Sequence, residues 1–455
     1  MGSTTYYLDG ARVRGLPVDI ANAAAVEVVK GPDSVLFGRA EPGGLINIRS
    51  RPLTAKPSFD FEQTIAQYDL YRTSAHASGA LDGDGKLLAG VSGSYLTSGS
   101  FRNFVKERLG SINASLAWQP SDGTRIAFTF DYIDQHYRND YGIPEISGRP
   151  AELPIATAYN DAPVLSLSES QSYRLDVTQA IGANWQLKVR GIHTRAKTRE
   201  LDIAPYRIDL STGDDCFATK GQLCRYYFNV RPDGRNKVDQ ISADLIGTVQ
   251  TGPLTHKLAF GVEYYRDDKS GTQYFQQLSS VDVFRPVVGN SPPLDIAAAA
   301  PLEIVDTNRW FSVYGEDQID FGSGVHAVVA LRHDWTSAIY AAPGIQPNKV
   351  GFTSPRVGLV WEFAPGQTVY GQFQRSLATN NGRNPDGTAL APETARQFEI
   401  GYKFQSANGK LIATLAAFDL VKSNRAEFVF FPIIQTIGRA RSRGRSEERR
   451  VGKEC

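Results

Sequence analysis

One property of the chain restricts its fold more than any other. From Phe59 onward, short runs alternate apolar and polar residues with a period of two, and helical periodicity is almost absent. In Thr124 to Ile133, residues Ile126, Phe128, Phe130 and Tyr132 share one face while Arg125, Thr129 and Asp131 share the other. The same parity recurs in Tyr173/Leu175/Val177, Trp185/Leu187/Val189, Leu258/Phe260/Val262/Tyr264, Val357/Leu359/Trp361/Phe363 and Phe398/Ile400/Tyr402/Phe404. About fifteen strands follow from the pattern, and their connections alternate in length. Gln119 to Gly123, Gly182 to Asn184, Thr251 to Thr255, Gly322 to Gly324 and Pro365 to Gly366 are tight. Arg138 to Ser170, Glu200 to Asn236 and Ser270 to Thr307 are long, and Ala338 to Gly351 and Thr379 to Pro392 are intermediate.

A soluble sandwich has no reason to gather its long loops at one end, whereas a transmembrane barrel does. Strands in a bilayer must pair every backbone group, so the sheet closes on itself; its apolar face meets lipid and its polar face lines the lumen. By parity Arg125, Asp131, Arg174, Asp176, Lys188, Arg190, Asp244, Glu399 and Lys403 point inward. Aromatic residues gather at strand ends, as headgroup-level rings do. Trp118, Trp185, Phe321, Trp361 and Phe363 flank tight turns, and Tyr132, Tyr264, Trp310 and Trp335 lie towards the long loops. An ordinary sandwich core is the competing reading of these rings. The expected class is therefore all-β, a transmembrane antiparallel barrel.

Composition agrees with a large folded chain. Of 455 residues, 41% are apolar and 21% charged, and no apolar run is long enough for a membrane-spanning helix. The formal charge of +1 hides a bias, because the last twenty residues hold six Arg, one Lys and three Glu. The body is mildly acidic, and nothing in it points to a nucleic-acid partner. Arg445 to Cys455 lacks alternation and is dense in charge; it reads as non-native sequence, with a natural basic tail as the alternative.

Residues 1–53 have another texture. Tyr6-Tyr7-Leu8-Asp9-Gly10 reads as a strand entering a turn, Ala25 to Val29 as a short strand, and Gly31-Pro32 and Pro42-Gly43-Gly44 as turn punctuation. Val26 to Pro32, together with Glu41-Pro42-Gly43-Gly44-Leu45-Ile46-Asn47, resembles the C-terminal half of the plug of TonB-dependent outer-membrane receptors, particularly the ferric-siderophore branch. Tyr7 to Gly15 is similar to the plug strand upstream. Pro392-Glu393 to Gly401, and Arg441 to Gly444, resemble barrel motifs of that family.

The resemblance implies a barrel of about 22 strands stoppered by an N-terminal plug, in a bacterial outer membrane, energised through the TonB complex. It divides the chain into the C-terminal part of a plug (residues 1–53), a partial barrel (54–444) and the tail (445–455). Further plug, a TonB-binding box, a secretion signal and about seven strands are expected outside this chain, which leaves the first and last barrel strands exposed. The expected partners are a ferric siderophore, the TonB complex and outer-membrane lipid, and a monomer is expected. No resident cofactor is expected, since iron would arrive caged in its chelator.

No catalytic motif of the G-x-S-x-G, H-E-x-x-H or phosphate-loop type occurs, and His333 beside Asp334 reads as a strand-end pair. The expected mouth gathers loop aromatics and cations suited to a large chelate: Tyr137, Arg138 and Tyr141; Tyr206, Arg207, Arg225, Tyr226 and Tyr227; Tyr274 and Phe275. The resemblance adds Arg14, Leu16 and Val18 from the plug, although Leu16 and Val18 are aliphatic where relatives place an aromatic. It also suggests a Lys30–Glu399 ion pair holding the plug, with Arg39, Glu41 and Glu27 competing. Cys216 and Cys224, in a polar loop of an oxidising compartment, read as a disulfide, with two free thiols as the alternative. They are too few for zinc.

The expected activity is uptake of a ferric siderophore. Cobalamin, haem or a glycan would suit the same machine, a passive porin or adhesin would need the barrel alone, and a secreted β-rich hydrolase would need a carboxylate pair in a cleft.

Overall fold

The computed structural model describes residues 5–13, 17–30, 44–146, 149–205, 222–303, 305–380, 382–384, 386–430 and 433–451. No helix among them is long and apolar enough to cross a membrane, which says nothing against crossing by strands.

The leading segment forms a four-stranded mixed sheet. Thr5–Leu8 pairs antiparallel with Ala11–Val13 and parallel with Gly44–Ser50, which also pairs antiparallel with Ala23–Lys30. Asp9 and Gly10 make the tight turn, both at positive φ (51° and 82°).

Sixteen long antiparallel strands follow, from Ser58–Ala66 to Ile433–Val451. Each holds an extended register with its sequential neighbour, as in Phe260↔Gly315 and Tyr173↔His193. The fifteen strands read from sequence are all present, within a few residues at most starts. Tight turns need glycine where the chain doubles back. A Cβ on Gly324 would stand 2.3 Å from the Glu362 carbonyl oxygen, and one on Gly366 2.2 Å from that of Gln405.

The sheet curls into a barrel whose strand order brings the last strand round to the first. Among the described residues no paired register joins those two, and both are exposed along most of their length.

The barrel is inside out. Phe128, Leu175, Phe260, Val262, Leu359, Phe398 and Ile400 are exposed on its outer wall, while Ser92, Asn113, Thr129, Arg174, Gln240 and Ser312 are buried facing the lumen. Trp118, Trp335, Trp361 and Phe363 are exposed rings, as a headgroup belt requires. Trp310 departs from that expectation: it points inward and stacks on Tyr265, with centroids 3.8 Å apart.

Two further expectations fail for one reason. Arg225, Tyr226 and Tyr227 were expected in a loop, but the strand Arg225–Thr251 is 27 residues long. At about 3.3 Å per residue it far exceeds a hydrocarbon layer about 30 Å thick, so its first third stands above the membrane. There protein covers both faces, and alternation disappears. Tyr274 and Phe275 likewise sit on a short strand, Gln273–Gln277, paired to Tyr226–Val230. At the other end of the chain, Arg445 to Val451 continues the last strand against Leu411–Ala417; backbone pairing needs no side-chain pattern.

Candidate functional site: the plug seat and the loop cap

The plug sheet sits inside the barrel and is held by charge. Asp9, at the turn, accepts hydrogen bonds from the Ser50 amide (2.8 Å) and hydroxyl (2.6 Å) within the plug. It also accepts one from Nη1 of Arg174 on the barrel wall at 2.6 Å. Arg190 donates to the Asp9 carbonyl, and Asp176 bridges the two arginines, 3.2 Å from Arg174 Nε and 2.6 Å from Arg190 Nε. Burial alone would raise the Asp9 pKa, but the Arg174 charge and the Ser50 donors outweigh it and hold the carboxyl below its usual range.

A second anchor is Asp19. Its carboxylate takes Arg72, Ser94 and Ser111 from three wall strands. Here too burial is outweighed, by the serine hydroxyls and then Arg72, so the pKa falls. Ser92 donates to Asn22 at 2.9 Å, and Arg12 lies 5.5 Å over the Trp310 ring on the opposite wall. Between plug and wall runs a cavity of about 90 Å³ whose lining includes Arg12, Val18, Asp19, Asn113, Asp131 and Arg174 among aliphatic side chains. Of the plug residues expected at the ligand, Val18 therefore faces this interface, while Arg14 and Leu16 lie outside the described residues.

The side chain of Lys30 also lies outside the described residues, as do Arg39 and Glu41. Glu399 faces the lumen, where it accepts from Tyr370 (2.9 Å), Gln372 (3.3 Å) and Gln397 (2.8 Å). Glu27 bonds within the plug sheet, to Asn47 at 2.8 Å.

Above the barrel the long connections interlock into a cap. Tyr159, Leu223, Val281 and Val283 form one apolar cluster; Ala162, Ile203, Tyr227, Val230 and Leu278 form another. Asp161 ties the segments together. It accepts Arg225 Nη1 (2.7 Å), the Ser291 hydroxyl (2.7 Å) and the Gly289 amide (2.6 Å). Burial would raise its pKa, but the Ser291 and Gly289 donors and the Arg225 charge lower it. Asp202 receives the side chains of Asn139 (2.5 Å) and Asn160 (2.7 Å).

The cap sorts the expected mouth residues. Arg138 spends its guanidinium on the Phe104 carbonyl (2.8 Å) and the Ala162 carbonyl, Arg225 is committed to Asp161, and the Tyr227 hydroxyl donates to the Pro292 carbonyl at 2.8 Å. These three hold the cap together. Tyr137 ends its strand opposite Ser166, and Tyr274 packs against the second cluster. Tyr141 is exposed, and Phe275, also exposed, is stacked 4.9 Å from Tyr226. Cys224 is disulfide-bonded; Cys216, like Tyr206 and Arg207, lies outside the described residues. The anchors Asp9, Asp19 and Asp161 escaped sequence reasoning. The Leu-Asp-Gly turn and the inward parity of Arg174 and Arg190 were the available signals for the first.

Comparison with known proteins gives this geometry its context. The metal-pseudopaline receptor CntO of Pseudomonas aeruginosa is 24% identical over 443 residues, covering 94% of this chain and 61% of that receptor. The ferrichrome outer membrane transporter/phage receptor of Escherichia coli is 23% identical, covering 93% of this chain and 60% of that protein. The chain thus spans about three fifths of the length of these relatives. Among solved structures, P. aeruginosa FpvA with a heterologous ferric pyoverdine superposes at a TM-score of 0.83, with 19% identity over 99% of this chain and 62% of that one. The ferric-catecholate import receptor Fiu of E. coli gives 0.79 at 19% identity, over 98% and 70% respectively. Residues 112–444 match the family described as TonB dependent receptor-like, beta-barrel, and the chain belongs to that family.

Proposed function

We propose that this chain belongs to an outer-membrane receptor that takes up a ferric siderophore with energy supplied through the TonB complex. The carrying observation is a plug sheet latched inside a polar lumen by Asp9–Arg174 and Asp19–Arg72, beneath a cap that leaves Tyr141 and the Tyr226–Phe275 stack at the surface. Relatives named as receptors for metal-pseudopaline, ferrichrome and ferrioxamine B support a metal chelate as cargo. In this reading the ligand meets the cap, the plug shifts, and the chelate passes without any covalent step, so the protein is not an enzyme. A Lys30–Glu399 contact would add a further latch, competing with the Glu399 bonds to Tyr370 and Gln397.

The test is uptake of radiolabelled iron by iron-starved cells offered single siderophores. Deleting the gene is expected to abolish uptake of at least one, and collapsing the proton gradient to do the same. Unchanged iron uptake with lost uptake of cobalamin, haem or a glycan would replace this reading.

A further inference from the structure

All six histidines lie among the described residues, and only His76 is buried. It sits on the strand Leu70–Ala80, near the end away from the long loops, which barrels of this kind turn towards the periplasm. Phe59 and Phe61 are exposed on the outer face, so Asp60 between them and its register partner His76 face inward. Neither ligand capture nor the Asp9 and Asp19 anchors use this histidine.

Its contacts close a circuit between plug and wall. His76 Nδ1 lies 2.7 Å from the Ser92 hydroxyl, and that hydroxyl donates to the side-chain oxygen of Asn22 in the plug at 2.9 Å. A hydroxyl has one proton to give, so His76 must donate to it; the neutral imidazole carries its hydrogen on Nδ1 and leaves Nε2 bare. From Asn22 the circuit continues through its carbonyl, which accepts the Arg51 amide at 2.8 Å. The Arg51 guanidinium then reaches Asp60 at 3.0 Å, directly opposite His76.

Arg51 begins the linker between the plug sheet and the first barrel strand. That linker lies docked on the wall: the Thr54 amide donates to the Ser78 hydroxyl (3.2 Å), and the Ala55 carbonyl accepts the Ala80 amide (3.1 Å). The charged groups around His76 are Asp60 and Glu62 on the preceding strand and Arg51 on the linker. The following strand presents Ser92 and Ser94, and Arg72 of its own strand is bound to Asp19 of the plug. A second proton on the imidazole therefore places a cation in a buried corner whose nearest carboxylate already serves Arg51. It competes for Asp60 and repels the guanidinium.

We propose that His76 is a proton-operated release for this tether: protonation at Nε2 breaks the circuit, frees the linker from the wall and loosens the plug at the periplasmic mouth. The tether is complete while His76 is neutral and is lost as pH falls below about 6.5, where a histidine ordinarily takes up its proton. The uptake reading supplies the purpose of such a release, but the tether itself can be followed whatever the cargo is.

The experiment is hydrogen exchange at the Arg51 and Thr54 amides of the intact receptor in lipid nanodiscs, corrected for intrinsic rates and followed from about pH 8 to about pH 5. Protection at both is expected to hold at the alkaline end and then to fall, by up to about tenfold per pH unit, the limit for a single proton. The Ser50 amide, held by Asp9, is expected to stay protected, which separates release of the tether from unfolding of the plug sheet. His76→Gln can still donate to Ser92 but takes up no proton, and is expected to keep the tether protected throughout. A flat profile in the unaltered receptor, or the same fall in His76→Gln, would overturn the proposal. Failure of the iron-uptake test would replace the cargo and leave this result standing.

Discussion

Asp9 of the plug and Arg174 of the barrel wall, 165 positions apart in the chain, are joined at 2.6 Å, and Arg190 closes on the same residue through its carbonyl. Both side chains are largely buried, so removing one partner strands a charge in a poorly solvated place. Asp9→Asn or Arg174→Gln alone is expected to weaken plug seating by on the order of 3 kcal/mol. The double variant is expected to recover part of that loss, because no charge is then left unpaired. Protection of the plug from protease in the folded receptor measures both.

The cap should loosen in acid. The Asp161 carboxyl is held below its unfolded pKa near 3.8, so the unfolded chain binds the proton more readily. Its contribution is therefore complete above about pH 4 and is lost as pH falls through the depressed folded value. Hydrogen exchange at the Gly289 amide, followed against pH, should show protection falling in that range. Asp161→Asn should give low protection at every pH.

Tyr159 sets the opposite limit. Burial, then Asp282, pushes the Tyr159 hydroxyl up to about 12, so the folded cap favours its neutral form. The unfolded chain ionises first, near pH 10, and stability is lost as pH rises above that. Tyr159→Phe removes the bond to the Val283 carbonyl (2.6 Å) and is expected to cost about 1 kcal/mol or somewhat more, read as a lowered midpoint in thermal denaturation. It should also blunt the alkaline loss.

The strands were legible in sequence because lipid lies on one side and water or plug on the other, which imposes period two on residues such as Phe260, Val262 and Tyr264. The same parity placed Arg174, Asp176 and Arg190 in the lumen. Which plug carboxylate they meet depends on how a separate sheet seats, and no local pattern encodes that. Above the membrane the rule lapses. Arg225 and Tyr227 look like ligand-binding loop residues by type, yet each is buried and spent on Asp161 or Pro292, since a cap built from long connections needs polar fasteners as much as apolar clusters.

That sorting separates binding from folding. Tyr226→Ala/Phe275→Ala removes an aromatic pair that includes an exposed ring, and is expected to reduce chelate affinity at least about tenfold with little change in melting temperature. Arg225→Ala strands Asp161 and is expected to lower the stability of the cap by about 3 kcal/mol. Titration of the receptor with a panel of ferric siderophores, paired with calorimetry, distinguishes the two.

A receptor of this design requires the apolar side of the barrel wall to meet lipid and the polar side to face the plug. Single cysteines at Phe128, Phe260 and Leu359 and at Ser312 and Asp9, each carrying a fluorophore, can be tested for quenching by nitroxide-labelled acyl chains in reconstituted vesicles. The first three should be quenched strongly and the last two hardly at all. Quenching at Ser312 and Asp9 with none at Phe128, Phe260 and Leu359 would contradict the account.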